Sequence, residues 1–314
     1  MNEAASITKR PKTGVILLAH GAPNSVDDIP LYLKNIRGGT ESSPEVVQLI
    51  QERYQLIGGS SPLLEITRAQ AAALEKFLNQ DPNGFKVYVG MRNWSPYVRD
   101  VVKEAVNDGV EKIMALCLAP QYSRWSTERY HQSLRDALKE CSAEVEVQFI
   151  SSWANNPGLI DAFIEKYNEA AERLRRNGTD DFYTLFTIHS IPSESLEMGD
   201  PYAEEYDKTV QAIIEGVKIG RWYKAYQSQG MIPVPWLGPT VESVLDKIAG
   251  YGRRTVLIVP VGFLCDHIEI LYDIDIAFKE YAQARNLELY RTESLNRSPL
   301  LTEGLASVVW EHLC

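Results

Sequence analysis

The sequence predicts an α/β protein of two similar lobes, each a parallel sheet flanked by helices, with a cleft between them. Three observations carry this. Short apolar runs alternate with longer stretches of helical periodicity, the mark of βαβ units on a parallel sheet. One design occurs twice, 169 residues apart: Val15-Ile-Leu-Leu-Ala-His20-Gly-Ala-Pro23 and Thr184-Leu-Phe-Thr-Ile-His189-Ser-Ile-Pro192 are each an apolar strand ending in His-small-x-Pro. Between the two copies, Asn155-Asn-Pro-Gly158 is a strong turn signal. It places a boundary within 151–158 and Rossmann-like lobes at 1–150 and 151–314.

Taken in order, Val15–Ala19, Lys86–Val89, Ile113–Ala119, Val145–Ile150, Thr184–Ile188 and Thr255–Val261 read as strands, because each is a short, largely apolar run. Pro44–Leu56, Ile66–Leu78, Val98–Asn107, Arg129–Lys139, Leu159–Arg175, Ala203–Ile219 and Val241–Ala249 carry apolar residues at helical spacing and read as helices. The proline-rich, aromatic stretch from Gln227 to Pro239 reads as irregular, either a linker or one wall of the cleft.

Composition narrows the function. The 314 residues are 45% hydrophobic and 24% charged, ordinary for a globular enzyme, and the formal net charge of -10 argues against a nucleic-acid surface. No run approaches the length of a membrane span. The N-terminal segment carries Lys9, Arg10 and Lys12 without an apolar core, so no secretory signal is expected. Cys117, Cys141, Cys265 and Cys314 are scattered without C-x-x-C spacing, which predicts no zinc site, no iron–sulfur cluster and a reducing cytoplasm.

The stretch from Val256 to Asp275 concentrates the chemistry. A buried strand breaks at Pro260 and Gly262 and delivers Asp266, His267, Glu269, Asp273 and Asp275 onto an expected helix. Strand ends of this kind are where open α/β sheets place ligands. On a regular helix Asp266, Glu269 and Asp273 would share one face. Three such carboxylates repel unless a cation, a proton or solvent compensates. His20 and His189 end equivalent strands, and each is open to a structural or a functional reading. One histidine with carboxylates suits a loosely held divalent ion better than a closed structural site. The early glycines form neither G-x-G-x-x-G nor a P-loop, so no dinucleotide is expected. Arg37, Arg53, Ser61, Tyr122, Trp125 and Tyr130 could serve a flat apolar ligand with anionic edges.

Together these residues resemble the ferrochelatase family over nearly the whole chain. The resemblance rests on Leu18-Ala-His-Gly-Ala-Pro23, Arg53-Tyr with Ile57-Gly-Gly-Ser-Ser-Pro-Leu63, Leu118-Ala-Pro-Gln-Tyr-Ser123, His189-Ser-Ile-Pro192, Gly199-Asp-Pro-Tyr202, Pro235-Trp-Leu-Gly-Pro239 and Val259-Pro-Val-Gly-Phe263 with Asp266-His-Ile-Glu269. It is most similar to the short bacterial enzymes that insert iron into coproporphyrin III. It implies a chelatase-like fold in which His189 and Glu269 are catalytic and, with Asp273, meet the metal. It also implies that His20, Ile36, Arg37, Arg53, Ser61 and Tyr130 contact the porphyrin. Iron is then a substrate, no resident cofactor is required, and the product passes to a later haem-pathway enzyme.

Three positions depart from the family pattern. His20 stands where a tyrosine able to ligate iron is found, Ala277 where a glutamate can extend the acidic track, and Asn93 where a histidine can follow the Val89-Gly90 strand. A cobalt or nickel chelatase of another tetrapyrrole is the alternative within the fold, and a non-catalytic tetrapyrrole-binding protein the alternative outside it. Mechanistically, a neutral His189 is expected to accept a pyrrole proton or briefly ligate iron, with Glu269 as counter-charge and Asp273 leading outward.

Overall fold

The computed structural model describes residues 13–80, 84–142, 144–230, 232–252 and 254–313. The basic N-terminal segment and Cys314 lie outside them. In the first half the order is β1 (Thr13–Ala19), α1 (Ile29–Ile36), α2 (Pro44–Leu56), α3 (Leu63–Leu78), β2 (Phe85–Met91), α4 (Val98–Asn107), β3 (Lys112–Cys117), α5 (Thr127–Cys141), β4 (Glu146–Ile150) and α6 (Pro157–Arg176). The second half continues with β5 (Tyr183–His189), α7 (Glu194–Glu197), α8 (Tyr202–Val217), β6 (Trp222–Gln227), α9 (Val241–Ala249) and β7 (Thr255–Pro260). It ends with α10 (Ile268–Leu271), a π turn (Asp273–Phe278), α11 (Lys279–Gln283), β8 (Glu288–Arg291) and α12 (Pro299–Glu311).

The strands form two four-stranded, all-parallel sheets of the same topology, β2-β1-β3-β4 and β6-β5-β7-β8. The two copies of the repeated motif therefore occupy equivalent places, each the strand from which its sheet is built outward. His20 follows β1 and His189 closes β5, so both lie at strand carboxyl ends.

Two strands and several helices escape the sequence patterns for physical reasons. β6 is an edge strand whose residues are mostly part-exposed, and β8 is a four-residue edge strand with one buried side chain. Neither needs an apolar run. The eight-residue α1 begins Ile-Pro and is too short for a stable period, while α12 opens on Ser298-Pro299 and buries Leu301, Leu305, Val308 and Val309.

Alternation along the central strands sorts side chains between two layers. Ile16 and Leu18 of β1 meet α4 and α5, whereas Val15 and Leu17 enter a core shared with Phe186, Ile188, Leu257 and Val259 of the second sheet. Helices α6 and α12 close that shared core, and α12 also lies on α3 beside the first sheet. The α6–α12 crossing depends on small residues. A Cβ on Gly158 would stand 2.6 Å from Gly304 Cα, and Asn156 Nδ2 donates to Ser307 Oγ at 2.7 Å across the same contact.

Candidate active site

His189 reaches the cleft because β5 ends there. Its carbonyl accepts from the Tyr202 hydroxyl at 3.0 Å, which gives the Gly199-Asp-Pro-Tyr202 motif a local task. Gly262 lets the end of β7 pass against β5: a Cβ there would come within 2.5 Å of Ile188 Cγ1 and 3.2 Å of its Cα. The following Phe263 packs edge-on to His189 and tilted against His267, with ring centroids 6.5 and 4.8 Å away.

Glu269, near the start of α10, lies between two imidazoles. Its Oε1 is 3.4 Å from His189 Nε2 and its Oε2 is 3.4 Å from His267 Nε2. The other ring nitrogen of each histidine faces a backbone carbonyl: His189 Nδ1 that of Ser190, and His267 Nδ1 that of Cys265 at 2.9 Å. Burial would raise the Glu269 carboxyl, but the two histidines, His189 foremost, hold it well below the usual carboxylate range. Burial likewise opposes charge on His189, yet Glu269 outweighs it and the ring's pKa is raised. Both ring nitrogens of His189 face acceptors, an arrangement that stabilises the protonated ring.

The acidic stripe expected of one helix face does not form. Asp266 lies before α10 and accepts from Ser294 Oγ at 2.8 Å and Asn296 Nδ2 at 2.9 Å, while Asp275 is paired with Arg291. Only Glu269 and Asp273 remain on the cleft side. The break is the π turn, in which Ala277 N–H donates to the Tyr272 carbonyl at 2.9 Å, five residues back. That widened pitch also removes Ala277 from the one-turn spacing after Asp273. Asp273 is bonded by Ser228 Oγ, and burial, reinforced by Glu269, pushes its pKa up to about 6.

A stability prediction follows from that shift. The raised carboxyl contributes stability that is fully present below the unfolded value near 3.8 and lost as pH rises through about 6. Ionised Asp273 therefore costs the folded state about 1–3 kcal/mol above pH 6. Asp273→Asn is expected to raise Tm at pH 8 and to leave it near wild type at pH 4. Thermal melts across that range check this, and an equal change at both pH values would contradict it.

The opposite wall comes from the first sheet. His20 is open to solvent but crowded by protein, and this desolvation lowers its pKa to about 4 against the field of Glu269. The Asn93 amide lies against its ring, 3.1 Å from Nε2 and 3.3 Å from Nδ1. Two of the three departures from the family pattern are thus in contact: the imidazole absent at 93 is present at 20. Tyr32 stands edge-on to His20 at 6.3 Å, its hydroxyl donating to the Gly21 carbonyl at 3.0 Å.

The expected substrate contacts are dispersed along this wall. Ile36 and Arg37 end α1 exposed, with Arg37 Nη1 3.3 Å from Ser42 Oγ. Arg53 stacks 4.9 Å over the Tyr272 ring, and its buried Nε has no hydrogen-bond partner. Ser61 Oγ accepts from Leu63 N–H at 3.3 Å at the start of α3, and Tyr130 is buried on α5 with its phenol's pKa raised by burial. Arg92, whose field reaches His20 and Tyr130, and Arg129, stacked 4.6 Å over Trp125, pair with no carboxylate among the described residues. Sequence reasoning passed over both arginines, and it gave His267 no role of its own. The chain signal for His267 was its place two residues before Glu269.

The loop after β6 is a cleft wall rather than a linker. Gln227 Nε2 donates to the Glu269 carbonyl at 3.1 Å, Leu237 N–H to Ile191 at 2.9 Å, and Ser193 N–H to Pro235 at 2.9 Å. Across the lobes, Asp200 accepts from Ser123 Oγ at 2.9 Å and Arg124 N–H at 2.8 Å, joining two of the motifs. Among the described residues no group of three or more His, Cys, Asp or Glu side chains is arranged to hold a metal ion. His189 and Glu269 are together, and Asp273, whose carboxyl feels the field of both, accepts from Ser228 Oγ.

A family model described as ferrochelatase matches residues 12–313. A ferrochelatase of Acidobacterium capsulatum is 42% identical, the match covering 94% of this chain and 93% of that protein. A coproporphyrin III ferrochelatase of a Geobacillus species is 33% identical over 97% of this chain and 99% of its own length. Among solved structures, the sirohydrochlorin chelatase SirB of Bacillus subtilis superposes with a TM-score of 0.58, covering 96% of this chain and 95% of its own, at 9% identity. That last likeness is one of fold alone.

Proposed function

The chain belongs to the ferrochelatase family, enzymes that insert iron into a porphyrin, and we propose that His189 and Glu269 carry out the insertion here. The observation that carries this reading is the Glu269 carboxylate held 3.4 Å from His189 Nε2 at the end of β5. Insertion releases two pyrrole protons. With its ring neutral, His189 can take a pyrrole proton at Nε2 or meet incoming iron, and the Glu269 carboxylate stabilises the imidazolium that proton transfer creates. Asp273, with a pKa of about 6, is poised to receive protons near neutrality and release them at the cleft edge. Iron enters as a substrate, and no resident cofactor is needed.

The porphyrin we propose is coproporphyrin III, whose four carboxylates exceed the two of protoporphyrin IX. Its support is twofold. Relatives at 32–34% identity bear that substrate in their names. Arg53, Arg92 and Arg129 offer guanidinium groups without carboxylate partners among the described residues. Ile36, Arg37, Ser61 and Tyr130 complete the proposed contacts. The setting is cytoplasmic, and the iron product passes to a downstream haem-pathway enzyme. Anaerobic incubation with Fe2+ and either porphyrin tests the preference: kcat/KM should favour coproporphyrin III, and equal or inverted values would reject it.

His20 belongs to the same proposal: its imidazole, at the carboxyl end of β1, would be available to ligate the iron once inserted. Its low pKa keeps the ring neutral at pH 7, and the coordinating nitrogen would exchange the Asn93 N–H for iron. The ferric product complex is expected to show a histidine-ligated absorption and EPR spectrum that His20→Ala abolishes. An unchanged spectrum in that variant would refute the assignment.

A further inference from the structure

The segment that carries Glu269 and Asp273 is irregular: four residues of α-helix, then a π turn that runs into the five-residue α11. Residues on either side of the two cleft-facing carboxylates are joined by one side chain from the neighbouring edge strand. Arg291, the last residue of β8, places Nε 2.7 Å and Nη2 2.8 Å from the two carboxylate oxygens of Asp275. The same Nη2 is 3.3 Å from Asp266 Oδ1, and Nη1 donates to the Thr292 carbonyl at 3.1 Å. The Arg291 side chain is 16% exposed, so this is an interior clamp rather than a solvated surface pair. Asn296 tightens it by donating Nδ2 to Asp266 Oδ2 and accepting the Asp266 N–H, both at 2.9 Å.

The placement matters more than the energy. Asp266 precedes Glu269 by three residues and Asp275 follows Asp273 by two, so a single guanidinium brackets both cleft-facing carboxylates. Its planar fork engages one carboxylate through two parallel bonds and still reaches a second, which an ammonium group does not reproduce. It also explains how five acidic and histidine side chains crowd into one segment: the two outer carboxylates are neutralised behind the site, leaving the inner ones to face it.

We infer that Arg291 is a positioning residue for metal insertion: by clamping Asp266 and Asp275 to the β8 edge, it fixes where Glu269 stands between His189 and His267. This rests on the reading of His189 and Glu269 as the insertion site. Arg291 acts through Asp266 and Asp275, so its loss shifts the reacting carboxylate. The porphyrin contacts of the opposite wall stay in place.

The test compares Arg291→Met, Arg291→Lys and Asp275→Asn with Glu269→Gln in anaerobic Fe2+ insertion, with Tm and circular dichroism recorded for each. Arg291→Met is expected to lower kcat about 10–100-fold, the usual effect of losing a group that orients a ligand, while porphyrin KM stays within about threefold. Arg291→Lys should recover part of the loss, and Asp275→Asn should show the same kcat-selective defect with the arginine intact. A kcat within twofold of wild type in Arg291→Met beside an inactive Glu269→Gln overturns the inference. A loss matched by the unfolded fraction, or one confined to KM, overturns it as well. An active Glu269→Gln removes the site reading itself, and the inference with it.

Discussion

Glu269→Gln is expected to reduce kcat for iron insertion by about 10²–10⁴-fold while porphyrin affinity changes little. The substitution keeps the shape but removes the charge that both His189 and His267 face at 3.4 Å. Without that anion the imidazolium formed when His189 takes a pyrrole proton loses its counter-charge, and burial then opposes the protonated ring. The amide would also present an N–H to a ring nitrogen and occupy the lone pair that iron or a pyrrole proton needs. Steady-state insertion kinetics with porphyrin binding followed by fluorescence check this, and retention of a tenth or more of wild-type kcat would remove Glu269 from the mechanism.

The second large effect is expected of His189→Ala: a comparable loss of kcat, partly restored by added imidazole, because the cavity left at the end of β5 opens to the cleft. The same variant makes a stability prediction with a definite sign. His189 has a raised pKa, so its contribution is fully present below about 6.5 and lost as pH rises through the higher folded value. Glu269 has a depressed pKa, so its contribution is fully present above about 4.5 and lost as pH falls through the lower folded value. The pair therefore stabilises most between about pH 4.5 and 6.5. His189→Ala should lower Tm more at pH 6 than at pH 9. Activity that survives at saturating iron, or a Tm difference independent of pH, would contradict the roles assigned here.

These variants also separate the two histidines that share Glu269. His189 comes from β5, and its backbone carbonyl is held by Tyr202. His267 is fixed locally by the Cys265 carbonyl and by Phe263. Both lie within reach of the same carboxylate, but only His189 is delivered by the strand end that the first lobe repeats with His20. That symmetry puts one imidazole on each wall, which suits a flat macrocycle entering between them.

Much of this was legible in the chain. The alternation of apolar runs and helical periods, and the His-x-x-Pro copies at 20 and 189, determined two equivalent parallel sheets with a histidine after the first strand of each. Those signals are short-range, since buried strands and amphipathic helices write their periods into consecutive residues. The edge strands β6 and β8 left no such trace, because half-exposed strands need little apolar sequence. The tertiary structure alone decided which charges meet. It moved Asp266 and Asp275 to Arg291, broke the expected helix at the π turn, set Glu269 between two histidines, and laid Asn93 against His20. Most such pairings join residues well separated in the chain, and their energies come from packing and desolvation that no local period encodes.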